Sequence, residues 1–232
     1  MNYSRLFHSL ILIIVSLNLY PQESKAQFAP PKDAPQNSSR GTGGRGECDG
    51  VDLVMEPFIP LNAWGLTLEA YPDVWVYVKY YSQPAGKNIR GTFTLQQRKP
   101  AKNPATQSTV DLPNKSSLLR IPIPISLQDK AWYQWTLELS CKNQLNTPTY
   151  TSGVIGRISS PDLKPRLDNS SSSDLISIYD KQYLWYDVLN KTIQLRCANP
   201  SNSSHTTTWM HLMKMEKVKL SDDASQVNLV CK

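Results

Sequence analysis

The residues able to do chemistry here are four cysteines, three histidines, a scatter of carboxylates and a row of aromatic side chains. His205 and His211 stand six positions apart, which puts them on different faces of one helix and argues against a shared metal. Cys197 and His205 are close enough in sequence to suggest a thiolate–imidazole nucleophile, but no third group orients the pair. No G-x-S-x-G elbow is present. Glu56, Glu69 and Glu138 are candidates for a carboxylate pair, and a glycosidase needs two such groups about 5–10 Å apart, a distance that spacing does not specify. Gly41-Thr42-Gly43-Gly44-Arg45-Gly46 has the form G-x-G-x-x-G. It lacks the preceding strand and following helix that a dinucleotide site requires.

The aromatics point elsewhere. In Val74-Trp75-Val76-Tyr77-Val78-Lys79-Tyr80-Tyr81, Trp75, Tyr77 and Tyr81 share one strand face with Lys79. Exposed, such a row stacks on sugar rings; buried, it is core. Trp132 has the opposite parity to Tyr133 and Trp135, which makes it, with Trp75 and Tyr77, a candidate for ligand stacking. Asp187 beside Trp185 and Tyr186 is expected on the wet face of a helix, or as acceptor of a bond from a neighbouring loop.

These residues must be carried by something, and the first 26 residues say where. Arg5 precedes an apolar run from Leu10 to Leu19, and Ser24-Lys25-Ala26 follows. That pattern predicts a signal peptide over 1–26, cleaved between Ala26 and Gln27. His8, Ser9 and Asn18 interrupt the apolar stretch, which falls short of the about 20 residues of a spanning helix. A periplasmic or extracellular protein with no membrane span in the mature chain is therefore expected. Loss of Arg5, Lys25 and Glu23 with the leader lowers the formal charge from +6 to +5. The small basic clusters at Arg98, Lys99 and Lys102 and at Lys214, Lys217 and Lys219 read as solvated surface, or as attraction to acidic polysaccharide. Nucleic acid is a poor partner for an exported protein.

In an oxidising compartment Cys48, Cys141, Cys197 and Cys231 allow three pairings. The wide spacings support neither zinc nor a redox motif. Cys141 has the parity of the inward residues Tyr133, Trp135, Leu137 and Leu139, and Cys48 sits just before the first strand candidate, Val51 to Met55, so a Cys48–Cys141 bridge is physically sensible. Cys197 and Cys231 either pair or stay free.

Residues 27–46 are rich in Pro, Ser, Asn and Gly and read as a flexible leader. From there to Ile158 the pattern is strand-like: Val51–Met55, Val74–Tyr81, Gly91–Gln96, Leu119–Ile123, Trp132–Cys141 and Thr149–Ile158. Pro122 and Pro124 mark an edge strand or its end. After Pro161 the period becomes helical. Asp174 is the expected N-cap, and an apolar stripe through Leu175, Ile178, Tyr179, Trp185, Leu189 and Ile193 runs to the stop at Asn199-Pro200. Ser203 or Ser204 is expected to cap a second helix with Trp209, Leu212 and Met213.

Several blocks in this order carry a resemblance. They are Gly44-Arg45-Gly46-Glu47-Cys48, Tyr71-Pro72-Asp73-Val74-Trp75-Val76-Tyr77-Val78, the strand from Trp132 to Cys141, Gly153 to Ile158, Leu184 to Leu189, and Leu195-Arg196-Cys197-Ala198-Asn199-Pro200 followed by Trp209. Together they resemble a family of exported cyanobacterial proteins catalogued as domain of unknown function 928. The resemblance implies a signal peptide, a β-rich body, a helical tail and the Cys48–Cys141 pair. It implies no activity. Family members usually carry Arg or a similar residue where this chain has Cys197.

The expected fold class is α+β: an antiparallel β-sandwich of immunoglobulin-like architecture over 47–160, then a helical segment over 161–232 packed on it. The expected function is a non-enzymatic envelope or extracellular module, without cofactor or metal, binding an exported protein or an acidic polysaccharide. Alternatives are a secretion accessory and a carboxylate-dependent hydrolase of envelope polymers.

Overall fold

The computed structural model describes residues 46–48, 50–82, 88–98, 105–140, 149–218 and 220–227, with side chains from residue 50 onward. The expected cleavage point at Ala26 and Gln27, residues 27–45 of the expected leader, Cys141 and Cys231 lie outside the described residues, as does the side chain of Cys48, whereas Gly46, the leader's expected last residue, opens a strand.

The described residues form nine strands: β1 Gly46–Cys48, β2 Val51–Pro57, β3 Trp64–Thr67, β4 Asp73–Tyr80, β5 Arg90–Gln97, β6 Thr106–Asp111, β7 Ser117–Pro122, β8 Trp132–Leu139 and β9 Tyr150–Arg157. They form a four-stranded sheet in the order β1-β2-β4-β7 and a five-stranded sheet in the order β3-β9-β8-β5-β6. Period-2 patterning explains the long ones. Val74, Val76 and Val78 in β4 are fully buried, and so are Trp135 and Leu137 in β8, while their neighbours along each strand turn away. The inward residues of both sheets belong to one continuous hydrophobic cluster. β7 is an edge strand and ends at Pro122, where the missing N–H costs no ladder bond.

The sheets are not antiparallel throughout, which corrects the expectation. β3 runs parallel to β9, with Trp64 opposite Val154 and Thr67 opposite Arg157. Five strands lie between the two in sequence, so no tight turn dictates their direction. β3 and β6 were not foreseen. β3 is four residues long and buried throughout, with no alternation to read. β6 is Thr-Gln-Ser-Thr-Val-Asp, half exposed at the sheet edge, and is a strand because β5 pairs with it.

Helices α1 Leu163–Asp168, α2 Ser172–Gln182, α3 Trp185–Ala198, α4 Ser203–Lys214 and α5 Asp222–Ser225 follow, so the chain is α+β. The continuous apolar stripe expected to form one helix is divided between α2 and α3. Tyr183 adopts a left-handed φ of 57° and closes α2 through its N–H to the Tyr179 carbonyl at 2.9 Å. The carbonyl released at Tyr183 accepts the Leu66 N–H at 2.9 Å, so the break ties the helices to β3. Asp174 is not the N-cap. Ser171 holds that position, and the Asp174 carboxylate takes its backbone N–H at 3.0 Å and its hydroxyl at 2.6 Å in a capping box, contacts that lower the carboxyl's pKa. Asn202, not a serine, caps α4, accepting the Ser204 N–H at 2.9 Å.

The helices dock through α3. A Cβ added to Gly65 in β3 would stand 2.7 Å from the Trp185 Cβ, so the absent side chain is what lets α3 approach. The Trp185 indole N–H reaches the Phe58 carbonyl at 2.7 Å. Tyr186 accepts from the Trp135 indole at 2.9 Å and donates to the Val154 carbonyl at 3.2 Å. Among the described residues, no helix is long and apolar enough to cross a membrane.

Candidate functional site

Strand β4 decides where the aromatic candidates go. With its valines turned inward, Trp75, Tyr77 and Lys79 face outward. Helices then cover part of that face. Trp75 is half-buried, and its indole N–H donates to the Asn190 carboxamide oxygen on α3 at 2.5 Å. Tyr77 is only 7% exposed, beneath the segment that carries Asp223, with which Lys79 forms an ion pair. Trp132 belongs to the other sheet. Its ring meets Trp64 edge-on at 6.0 Å and lies across Gly156, where an added Cβ would approach to 2.6 Å. The three aromatics therefore do not share one platform.

Trp75 opens into a groove of 680 Å³. Its floor is the outer face of β4 and β7, where Trp75 stands opposite Arg120 in the strand register. One wall is α3, whose Asn190, Ile193, Gln194 and Cys197 follow i, i+3, i+4 and i+7 spacing and so form one stripe. The other wall is the β6–β7 connection with Pro113, Asn114 and Lys115. That connection is tied to β4. The Tyr80 hydroxyl donates to the Pro113 carbonyl at 2.7 Å, and the Tyr80 N–H donates to the Ser116 hydroxyl at 3.0 Å. Leu118, Leu119 and Ile193 supply apolar surface, and the amides of Asn114, Asn190 and Gln194 bring donors and acceptors to the same space.

The groove's two carboxylates are paired. Asp73 accepts from the Arg120 guanidinium at 2.9 Å, and Asp111 from Arg90 at 3.0 Å. Glu56, Glu69 and Glu138 do not converge. Glu56 accepts the N–H and hydroxyl of Ser221, Glu69 pairs with Lys164, and Glu138 is exposed on β8. The expected basic clusters are likewise engaged or dispersed: Arg98 donates to Gln134 at 3.2 Å, and Lys217 pairs with Asp180 and lies over the Tyr179 ring. Lys99, Lys102 and Lys219 lie outside the described residues.

Asp187 is not on a wet face. It is 4% exposed and accepts the Thr67 hydroxyl and the Leu68 N–H, each at 2.8 Å. Burial pushes its carboxyl up to about 7, against the opposing pull of the Leu68 and Thr67 bonds; Glu69 adds to the rise and Lys164 opposes it. It does not line the groove, and its work is to bolt α3 to the end of β3.

Cys197 is disulfide-bonded, so the thiolate–imidazole pairing with His205 has no thiolate. The His205 ring instead meets the Ser172 hydroxyl at 2.5 Å, and His211 is exposed on α4. Among the described residues, no three His, Cys, Asp or Glu side chains gather as a metal site. Sequence reasoning selected Trp75 but not its partners Asn190, Gln194 and Arg120. The signal available was the second stripe of α3, beside the core stripe.

No curated protein matches the chain. Among solved structures it is similar to a family 76 glycoside hydrolase from a bovine Bacteroides thetaiotaomicron strain, at 12% sequence identity and a TM-score of 0.28, over 53% of this chain and 22% of that one. The chain thus spans about a fifth of the hydrolase's length, and so slight a likeness says nothing of activity. The model of one protein family matches residues 39–227. With that match covering most of the chain, the chain belongs to the family described as Domain of Unknown Function (DUF928).

Proposed function

We propose that this protein is an exported, non-enzymatic envelope or extracellular module that binds a polysaccharide strand in the groove between β4, β7 and α3. The observation that carries the reading is the groove's make-up: a half-buried tryptophan and aliphatic floor flanked by carboxamides, which suits the apolar faces and hydroxyl edges of sugars. Export rests on the charged, apolar and small-residue pattern of residues 1–26, with cleavage between Ala26 and Gln27, and a cyanobacterial source on the resemblance of the sequence blocks. The finer fold follows the same reading. Residues 47–160 form a sandwich of immunoglobulin-like architecture, pinned by a Cys48–Cys141 bridge, and 161–232 form the helical cover. Peptide mapping without reductant that paired either cysteine elsewhere would remove the bridge.

The hydrolase alternative has two carboxylates in the groove, Asp73 and Asp111, but each is already engaged by an arginine. The test is binding of the purified protein to a panel of envelope and storage polysaccharides. Trp75→Ala is expected to weaken binding at least about tenfold, the loss of one stacking contact and the groove's ordering bond, with Trp132→Ala leaving affinity within twofold. Equal losses for the two variants would move the site. Shortened products on prolonged incubation would establish the hydrolase. Capture of an exported protein with no sugar bound would establish the secretion accessory.

A further inference from the structure

Two basic side chains line the groove, Lys115 and Arg120, and two carboxylates line it with them, Asp73 and Asp111. The positive formal charge of the whole chain is therefore not concentrated here. Arg120 is held by Asp73 at 2.9 Å across neighbouring strands, and Asp111 by Arg90 at 3.0 Å. An incoming carboxylate or sulfate would have to break the Asp73–Arg120 pair to reach the guanidinium, and would then face the displaced Asp73 together with Asp111, with Lys115 on the β6–β7 wall as, among the described residues, the one lining cation outside an ion pair. Within a Debye length of about 10 Å at 0.1 M salt that repulsion is not screened away.

The remaining lining favours hydroxyls. Asn114, Asn190 and Gln194 each carry both donors and acceptors, the complement of a sugar hydroxyl, which also does both. The Trp75 indole N–H is already engaged by Asn190, so what Trp75 offers a ligand is apolar ring surface. We infer that the groove selects an uncharged polysaccharide strand over an acidic one of the same backbone, with Asp73 and Asp111 as the residues that exclude acid. This rests on the reading of the groove as a polysaccharide site, and it departs from the acidic partner that net charge alone suggests.

The experiment is calorimetric titration of the purified protein at about 0.1 M salt with matched pairs of oligosaccharides. Suitable pairs are β-1,4-glucan and β-1,4-glucuronan hexamers, and α-1,4-galactan and α-1,4-galacturonan hexamers, which differ only in the oxidation state of C6. The uncharged member of a pair is expected to bind at least about tenfold more tightly, two like-charge contacts sufficing for that ratio. Asp73→Asn frees Arg120 and is expected to raise the ratio of uronate to uncharged affinity about fivefold or more. Asp111→Asn, at an exposed position, gives the same direction independently should Asp73→Asn fold poorly. Equal or tighter binding of the uronate by the wild-type protein overturns the inference while leaving the polysaccharide reading intact. Absence of binding to both members of every pair, with the panel of envelope polysaccharides also unbound, overturns both.

Discussion

Helix α3 contains two unlike halves. Its first turn buries Trp185, Tyr186 and Asp187 with every polar atom engaged: the indole with Phe58, the phenol with Trp135 and Val154, the carboxyl with Thr67 and Leu68. Its later turns present Asn190 and Gln194 to an open groove, where Asn190 is half-buried and Gln194 exposed. The difference teaches how the site is held. A helix anchored at one end by packed aromatics and satisfied buried bonds is rigid enough to present loosely packed carboxamides at the other in fixed positions. The same contrast marks β4, where Trp75 opens into the groove and Tyr77 is closed beneath residues of the C-terminal segment.

Breaking the anchored half should cost most. Trp185→Ala removes a fully buried indole and its bond to Phe58, and a loss of about 3–5 kcal/mol is expected in denaturant unfolding. A loss under about 1 kcal/mol would show that α3 is not the anchor.

Asp187 comes next, through pH. Its folded-state carboxyl sits above the ordinary 3.8, at about 7, so the folded protein holds the proton more tightly than the unfolded chain. That contribution is fully present below the unfolded value and is lost as pH rises through about 7. Wild-type stability should therefore fall from pH 4 to pH 8 by up to about 4 kcal/mol relative to Asp187→Asn, which cannot ionise. Parallel pH profiles of melting temperature for the two proteins would refute this.

Tyr186→Phe keeps the ring but leaves the buried Trp135 N–H without its acceptor, at an expected cost of about 1–3 kcal/mol. The smallest effect on stability sharpens the comparison. Asn190→Ala removes a bond to a half-buried indole whose N–H then has access to water, so under about 1 kcal/mol of stability is expected to go. Polysaccharide affinity should nonetheless drop severalfold, because Trp75 loses the partner that orients it. A variant as unstable as Trp185→Ala would erase the distinction between the halves.

The elements that could be read in advance were those whose pattern is local. Tyr133, Trp135, Leu137 and Leu139 alternate with wet residues because one face of β8 meets the core and the other does not. Leu175, Tyr179, Trp185 and Leu189 recur at helical spacing because α2 and α3 each bury one stripe. What was missed depends on the partner strand rather than on the segment's own pattern. β6 is a polar hexapeptide until β5 pairs with it, and β3 is four buried residues until β9 runs alongside. The break at Tyr183 has no proline or glycine to announce it; the Leu66 N–H and the packing of Trp64 on Tyr183 reward it.

The site divides the same way. Parity put Trp75 and Tyr77 on one face of β4, since alternation is a property of the extended backbone alone. Parity is silent on what covers that face. Only the docking of α3 and the β6–β7 connection left Trp75 beside an open groove, and only the C-terminal segment closed over Tyr77. By itself the sequence determined the strand and helix periods and which side chains share a face, because covalent geometry and hydrophobic burial act along the chain. The tertiary structure decided which of those faces met a partner, which carboxyls gained an arginine and which was buried at Asp187, because those outcomes depend on distances between residues on different elements that only the fold brings together.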